Sequence, residues 1–395
     1  MDETSLFALN VGSDQLHITA RINRESGPAV SAAEHIFTAT ASVLIFSGMR
    51  ILHERVFGTL DFYEAYARIR EQFPDFAQRP FSYIQGAPPH GRGLSGIQIH
   101  AVKPLSDKNP RVLHDGDRPC GSVWERGGAT YVHIAGLHGL QDGSRRRGEQ
   151  AAAMFDSMQR ILASQSADFR SVVRTWIYLD DIVEGYDLLN AVRTDKFKSF
   201  GLIPGPAEAS NGNPAYLPAS TGIGGRNPAG AFCSGDALAV SGRIQISVLP
   251  GRLQPSAYSY GSAFSRGVCI EEKEYRQIFI SGTAAIDAAG HSLYPRDAEA
   301  QISRTLDVVE ALIGEKGAAF TDLRSATVYL KRAGDLRAYQ KIARRRGLPD
   351  LPAVFVVADI CRDELLFEMD ALAAIGKKPY TAKMPAPSPL LKLQS

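Results

Sequence analysis

The chain has 395 residues, 44 basic against 42 acidic side chains, 44% hydrophobic and 22% charged content, an ordinary globular balance. That length excludes a single small module and predicts two or three domains whose core needs no disulfide or metal staple. Even charge argues against a surface built to neutralise nucleic acid.

The start, MDETSLFALN, is acidic where a secretory signal is basic, and the apolar run SVLIFSGM is far short of the ~20 residues that span a bilayer. The reading is a soluble protein with no nucleic-acid or membrane partner. Cys120, Cys233, Cys269 and Cys361 stand singly, without CxxC pairs, which points to a reduced cytoplasm.

Over the first hundred residues, LFALNVG, LHITARI, HIFTATASVLIF and ILHERVFGTL read as strands, and TLDFYEAYARIREQF reads as an amphipathic helix closed by Pro74. The Pro-, Gly- and charge-rich stretch that follows, with the short strand IQIHAV inside it, reads as a domain connection. From Tyr131 the order becomes strand, long helix, strand, and it returns further along. Aligning 150–179 with 301–330 without gaps pairs Gln150 with Gln301, Asp156 with Asp307, Phe169 with Phe320, and Tyr178 with Tyr329. Apolar positions coincide at helical spacing, Phe155/Leu306, Met158/Val309, Ile161/Leu312 and Leu162/Ile313, so a duplicated α+β unit is the economical reading. Leu-Pro-Ala also recurs, at 217–219 and 351–353. The Pro- and Lys-rich tail, 377–395, reads as disordered.

SGTAAID, a helix near Gln301, SATVYLK, LPAV and LLFEMDALA, in that order, are similar to the small trimeric RidA/YjgF enamine deaminases. VVRTWIYLDDI, YLPASTGIGG, YGSAFSRGV, SGTAAI and CRDELLFEMDALA resemble the chorismatases, which use a duplicated RidA-like core to remove the enolpyruvyl group of chorismate. The resemblance implies an α+β fold of two fused RidA/YjgF-like (chorismate-mutase-like) units, 120–250 and 251–376. An additional N-terminal α/β domain over 1–110 precedes them, with a degenerate third repeat as one reading of it. A chain so built could mimic the relatives' trimer internally, as a pseudo-trimeric monomer. One departure stands out: where the small family places a carboxylate-holding arginine after Pro-Ala, this chain has Ser220 and Val354.

Glu368 is the candidate catalytic acid. On a strand its neighbours Phe367 and Met369 point to the other face, so it lies either at an exposed edge or in a pocket that raises its pKa. The first repeat has Ala239 or Val240 near the corresponding place, which leaves one acid for two copies. The resemblance implies that Glu368 protonates the enol ether carbon of chorismate, a demanding step for which the acid must be protonated. The resulting cation is then attacked by water or by the neighbouring ring hydroxyl, with no metal or cofactor required. Two substrate carboxylates call for cations, with Arg226, Arg266 and Arg174 as candidates, and Tyr216 and Thr221 as further donors. Ala284 and Cys361 are expected to bear on the product, a cysteine at the latter place being similar to the 3-hydroxybenzoate-forming type.

The implied function is chorismatase activity releasing pyruvate and 3-hydroxybenzoate. Alternatives are hydrolysis to a dihydroxycyclohexadiene carboxylate, formation of 4-hydroxybenzoate, a RidA-like deaminase, and a non-catalytic binder of aromatic acids. Gln150 and Gln301 read as structural hydrogen-bonders, and the lack of a Cys/His ligand set around His133 and His138 argues against zinc.

Overall fold

A computed structural model describes residues 3–24, 29–105, 110–143, 145–204, 216–254 and 256–376; the tail read as disordered lies outside them. The first sheet is built from β1 (Thr4–Val11), β2 (Gln15–Ile22), β3 (Arg50–Gly58), β4 (Ser82–Gln85) and β5 (Leu94–Val102). The helices α1 (Ala29–Ser47), α2 (Tyr63–Glu71) and the short α3 (Pro74–Ala77) are interleaved with these strands. The second contains β6 (Arg111–Asp115), β7 (Arg118–Arg126), β8 (Ala129–Leu137), α4 (Arg147–Ala163), β9 (Val172–Leu179), α5 (Ile182–Ser199), β10 (Ala219–Gly224) and β11 (Cys233–Gly242). The third contains β12 (Gln245–Val248), β13 (Gly267–Glu271), β14 (Tyr275–Ala284), α6 (Ala298–Gly314), β15 (Leu323–Leu330), α7 (Asp335–Arg345), β16 (Ala353–Val357) and β17 (Phe367–Gly376).

Strand orders are β1-β2-β5-β3-β4, β10-β9-β11-β8-β7-β6 and β12-β13-β14-β17-β15-β16. Apart from the extra edge strands β6 and β12, the three follow one plan. The last strand of each unit lies at the centre of its sheet, and the only parallel pairs among the described strands are β3/β4, β9/β10 and β15/β16.

Helix periodicity explains α4 and α6. Met154, Phe155, Met158, Ile161 and Leu162 in the first, and Ile302, Leu306, Val309, Leu312 and Ile313 in the second, form the buried face against their sheets. Two sequence expectations are corrected. HIFTATASVLIF is not a strand but the body of α1, whose Ala33, Ile36, Phe37, Thr40 and Leu44 are buried at three- and four-residue spacing. Its β-branched residues imitate a strand, yet packing on the sheet overrides propensity. By length and composition alone this helix, 19 residues with mean hydropathy 1.5, could cross a membrane; here one face of it packs on β1, β2 and β5. Second, IQIHAV belongs not to a connection but to β5, hydrogen-bonded between β2 and β3 at the middle of its sheet.

The three sheets meet around aromatic side chains at equivalent positions. The Phe57 ring of β3 packs edge-on against Tyr178 of β9 at 6.3 Å and Tyr329 of β15 at 6.4 Å, and all three residues are buried. Beside them lie His17, His53, His100 and His133. Burial lowers the pKa of His17, His100 and His133, and neighbouring cations and histidines add to the effect, so these rings are neutral. Phe57→Ala removes the ring common to both contacts and should cost about 3–5 kcal/mol in denaturant unfolding; a loss under about 1 kcal/mol would contradict the packing described.

Candidate active site

Glu368 lies near the start of β17, paired with Tyr329 of β15 on one side and Ala284 of β14 on the other. Gln301 of α6 fixes that start: its Oε1 accepts from the Leu366 amide at 2.7 Å and its Nε2 donates to the Glu364 carbonyl at 2.8 Å. Opposite Glu368, β14 is irregular between Ile280 and Thr283. Gly282 sits in that irregularity, and a Cβ there would run into Glu368 Oε1, so the absent side chain makes the room.

Glu368 is 4% exposed. Burial, reinforced by the charge of Asp370 and opposed by Arg174 and Arg266, pushes its pKa up to about 8. Asp370 follows two residues later on the same strand face and has the partners that Glu368 lacks. It accepts from Thr221 Oγ1 at 3.0 Å and Tyr329 Oη at 3.1 Å, and pairs with Arg174 Nη2 at 3.3 Å. One carboxylate is thus fully partnered, and its charge helps keep the other protonated.

The cavity facing Glu368 encloses about 470 Å³, part of it open to solvent. Tyr186 of α5 with Ser220 and Gly222 of β10 form one wall; Phe264, Arg266, Ala284, Ile286, Cys361 and Leu365 form the other. Arg266 donates to Tyr260 Oη. Behind the first wall, Arg193 of α5 is 1% exposed, donates to Asn190 Oδ1 at 2.5 Å and to Ser220 Oγ at 3.4 Å, and lies 5.4 Å from the Phe264 ring centroid. Burial raises the Cys361 thiol to about 12, with Glu368 adding to the shift, so it is not a thiolate nucleophile. Among the described residues no group of three His, Cys, Asp or Glu side chains is placed to hold a metal.

This arrangement is that of a shielded proton donor in an enclosed hollow with arginines in and behind its walls. The endoribonuclease L-PSP family model matches residues 256–375, the segment carrying Glu368. A 3-hydroxybenzoate synthase of Streptomyces hygroscopicus is 27% identical over 304 residues, covering 71% of this chain and 86% of the relative. A chorismatase of Streptomyces rapamycinicus is 26% identical over 309 residues, covering 71% and 87%. A crystal structure of a chorismatase superposes with a TM-score of 0.59 at 17% identity, over 93% of this chain and all of the other. The chain is similar to chorismatases over most of its length. A RutC family protein of Pyrococcus abyssi is 29% identical over 97 residues, 24% of this chain and 76% of that one.

Of the residues expected from this chorismatase-like sequence, Glu368, Arg266, Ala284 and Cys361 come together in the cavity. Thr221 and Arg174 do not line it; they stand behind Asp370, where the Thr221 hydroxyl accepts from Arg174 Nη2 at 2.5 Å. Arg226 is exposed and away from it, contributing its backbone carbonyl to the Gln85 amide at 2.8 Å. Tyr216 is elsewhere too, its hydroxyl donating to the Val172 carbonyl at 3.0 Å. In both cases a loop residue lay close in sequence to β10 but on the wrong side of it. The expected counterpart of Glu368 in the first repeat is corrected as well. Tyr329 pairs with Glu368 and Tyr178 with Ser234, so the position is Ser234, not Ala239 or Val240.

Sequence reasoning missed Tyr186 and Arg193. They sit two turns apart on one face of α5, with Asn190 between them, and nothing in the sequence of that helix marks them. Arg193 reaches the Ser220 hydroxyl, so a guanidinium does stand at the Pro-Ala-Ser element, delivered from the helix instead of the strand.

The raised pKa carries a sign that can be checked. Folded Glu368 keeps its proton up to about pH 8 while the unfolded side chain, at the ordinary glutamate value of 4.5, has lost it. Relative to Glu368→Gln, the wild-type chain should therefore lose stability between those two values, by on the order of 1 kcal/mol per pH unit. Parallel stability profiles for the two proteins from pH 5 to 9 would show the carboxyl to be solvated instead.

Proposed function

We propose that this chain converts chorismate to 3-hydroxybenzoate and pyruvate, with Glu368 as general acid. The observation that carries the reading is a carboxyl held protonated near neutrality in a cavity that also presents Arg266, with Arg193 close behind its wall. The names of the two Streptomyces relatives support it.

In this reading Glu368 gives its proton to the methylene carbon of the enol ether, whose electrons form the new C–H bond and leave an oxocarbenium ion. Cleavage of the bond from the ring carbon to the ether oxygen releases pyruvate, now a ketone. The neighbouring ring hydroxyl attacks that carbon and its proton returns to the Glu368 carboxylate, which gives an epoxide; the oxygen's original C–O bond then breaks, the attacked carbon gives up its hydrogen as a proton, the oxygen takes one up, and the ring aromatises. Chorismate has the summed composition of hydroxybenzoate and pyruvate, so no water is consumed, whereas the diol-forming hydrolysis takes up one. Phe264, Ile286, Leu365 and the un-ionised Cys361 make a wall that offers little to hold an attacking water, which favours the intramolecular route. Arg266 is the residue we assign to a substrate carboxylate, and Arg193 positions the Ser220 wall from behind. Arg174 acts through Asp370.

The same reading treats residues 1–110, 120–250 and 251–376 as three equivalent units around the Phe57, Tyr178 and Tyr329 contact, a pseudo-trimer within one chain. The site lies between two units of the same chain, so no second copy is needed. Four unpaired cysteines suit a reducing cytoplasm.

Incubation with chorismate, with pyruvate coupled to lactate dehydrogenase and products separated by chromatography, should give equal amounts of pyruvate and 3-hydroxybenzoate. In D₂O the pyruvate methyl should carry one solvent deuterium. The rate constant kcat/KM should fall as pH rises through about 8, where Glu368 loses its proton, and Glu368→Gln should lower it about 10²–10⁴-fold. Absence of pyruvate would overturn the reaction, and full activity in Glu368→Gln would overturn the assignment of the acid. Sedimentation should give a mass near 42.8 kDa; a mass near three times that would remove the internal pseudo-trimer's rationale.

A further inference from the structure

The active cavity forms where α5 and β10 face the ends of β14 and β17. Strand register shows the same construction one sheet earlier, where α2 and β4 face the ends of β8 and β11. Phe57 pairs with Gly96, Tyr178 with Ser234 and Tyr329 with Glu368, which makes Gly96 and Ser234 the counterparts of the acid. Asp236 is the counterpart of Asp370: it accepts from the Ser82 hydroxyl of β4 at 2.5 Å, as Asp370 does from Thr221. On α2, Tyr63 and Arg70 repeat the spacing of Tyr186 and Arg193.

Only two of the three equivalent places are open. Between the third and first sheets, a Cβ on Gly96 would lie 3.0 Å from Val354 Cγ2, and Val356 closes on Gly86, so apolar side chains fill the space. Between the first and second sheets the hollow is larger than the active cavity, about 1460 Å³ on the same measure. Tyr63, Phe81 and Tyr83 give it aromatic surface, and Arg118 and His138 line it.

The polar groups there are unevenly satisfied. Arg70 is neutralised by Glu54 at 3.0 Å, and Arg79 donates to the Pro110 carbonyl at 2.5 Å. Arg118, with no carboxylate partner among the described residues, donates to the Gly136 carbonyl at 3.0 Å and to His138 Nε2 at 2.9 Å. A guanidinium only donates, so Nε2 accepts and the neutral imidazole carries its hydrogen on Nδ1. Burial and Arg118 both keep His138 neutral. His138 thus positions Arg118 at the cleft and leaves its remaining N–H groups free of any carboxylate among the described residues.

We propose that this cleft is a second binding site, for a small aromatic monocarboxylate: Arg118 holds the carboxylate, and Tyr63 and Phe81 hold the ring. Ser234 has no acidic proton to give, so the ligand leaves unchanged. The inference rests on strand register, the aromatic-walled hollow and the guanidinium of Arg118, not on the reaction proposed above. It is tested by calorimetric titration of the full chain with benzoate and with 3-hydroxybenzoate. Two sites per chain are expected. Arg118→Ala should weaken one about tenfold or more, leaving pyruvate release unchanged, while Arg266→Ala weakens the other. Ala67→Trp, which fills the cleft from α2 and keeps Arg118, should abolish the same site as Arg118→Ala and guards against misfolding of the latter. One site only, or two sites indifferent to both cleft variants in proteins that melt normally, would overturn the proposal. A chain that releases no pyruvate yet loses one benzoate site in Arg118→Ala would overturn the reaction and leave the second site standing.

Discussion

The structure around the cavity depends on the asymmetry between two carboxyls that alternate along one strand face. Asp370 takes a guanidinium, a hydroxyl and a phenol as partners, which makes its charge tolerable in the interior. Glu368 has a glycine opposite it in place of a donor, so burial and the neighbouring charge act together to keep its proton on. Distinct environments two residues apart separate the roles of chemically similar groups. Thr221 and Arg174 matter because they hold Asp370, one step removed from the reacting centre.

Repetition of one sheet plan, followed by divergence at equivalent positions, explains why a single cavity carries an acid. The strand pairing that presents Glu368 presents Ser234 in the second sheet and Gly96 in the first. The glutamine at the head of each repeat helix is retained because it satisfies the strand amide two residues upstream: Gln150 accepts from Phe232 at 2.8 Å as Gln301 does from Leu366. Backbone geometry was conserved by the duplication while side-chain chemistry was free to differ, and one cleft closed with valines, one kept the acid, and one stayed open without it.

Much of this was legible in the residues. Period-3.6 faces on α4 and α6 are strong signals, and both helices lie where the apolar spacing puts them. Glu368 was conspicuous as an acid within an apolar strand. The α1 segment misled because its Ile, Val and Thr content suits a strand locally, and only the sheet beneath it selects the helix. Arg226 and Tyr216 misled because nearness along the chain is a poor guide to which side of a strand end a loop residue occupies. Arg193 was hidden for the opposite reason: it reaches the Ser220 element across β10 from a helix whose sequence shows nothing unusual.

The amino-acid order alone determined the duplicated α+β units, the family resemblance and the acid, since these follow from periodicity and from residue types that recur in fixed succession. Tertiary structure alone decided which arginines approach that acid, that Ser234 stands in its place one sheet earlier, and that the first hundred residues build a third sheet of the same plan. Those facts arise from register between strands far apart in the chain and from packing of one sheet against the next. Such long-range geometry is set by the free energy of the whole fold, and no local pattern encodes it.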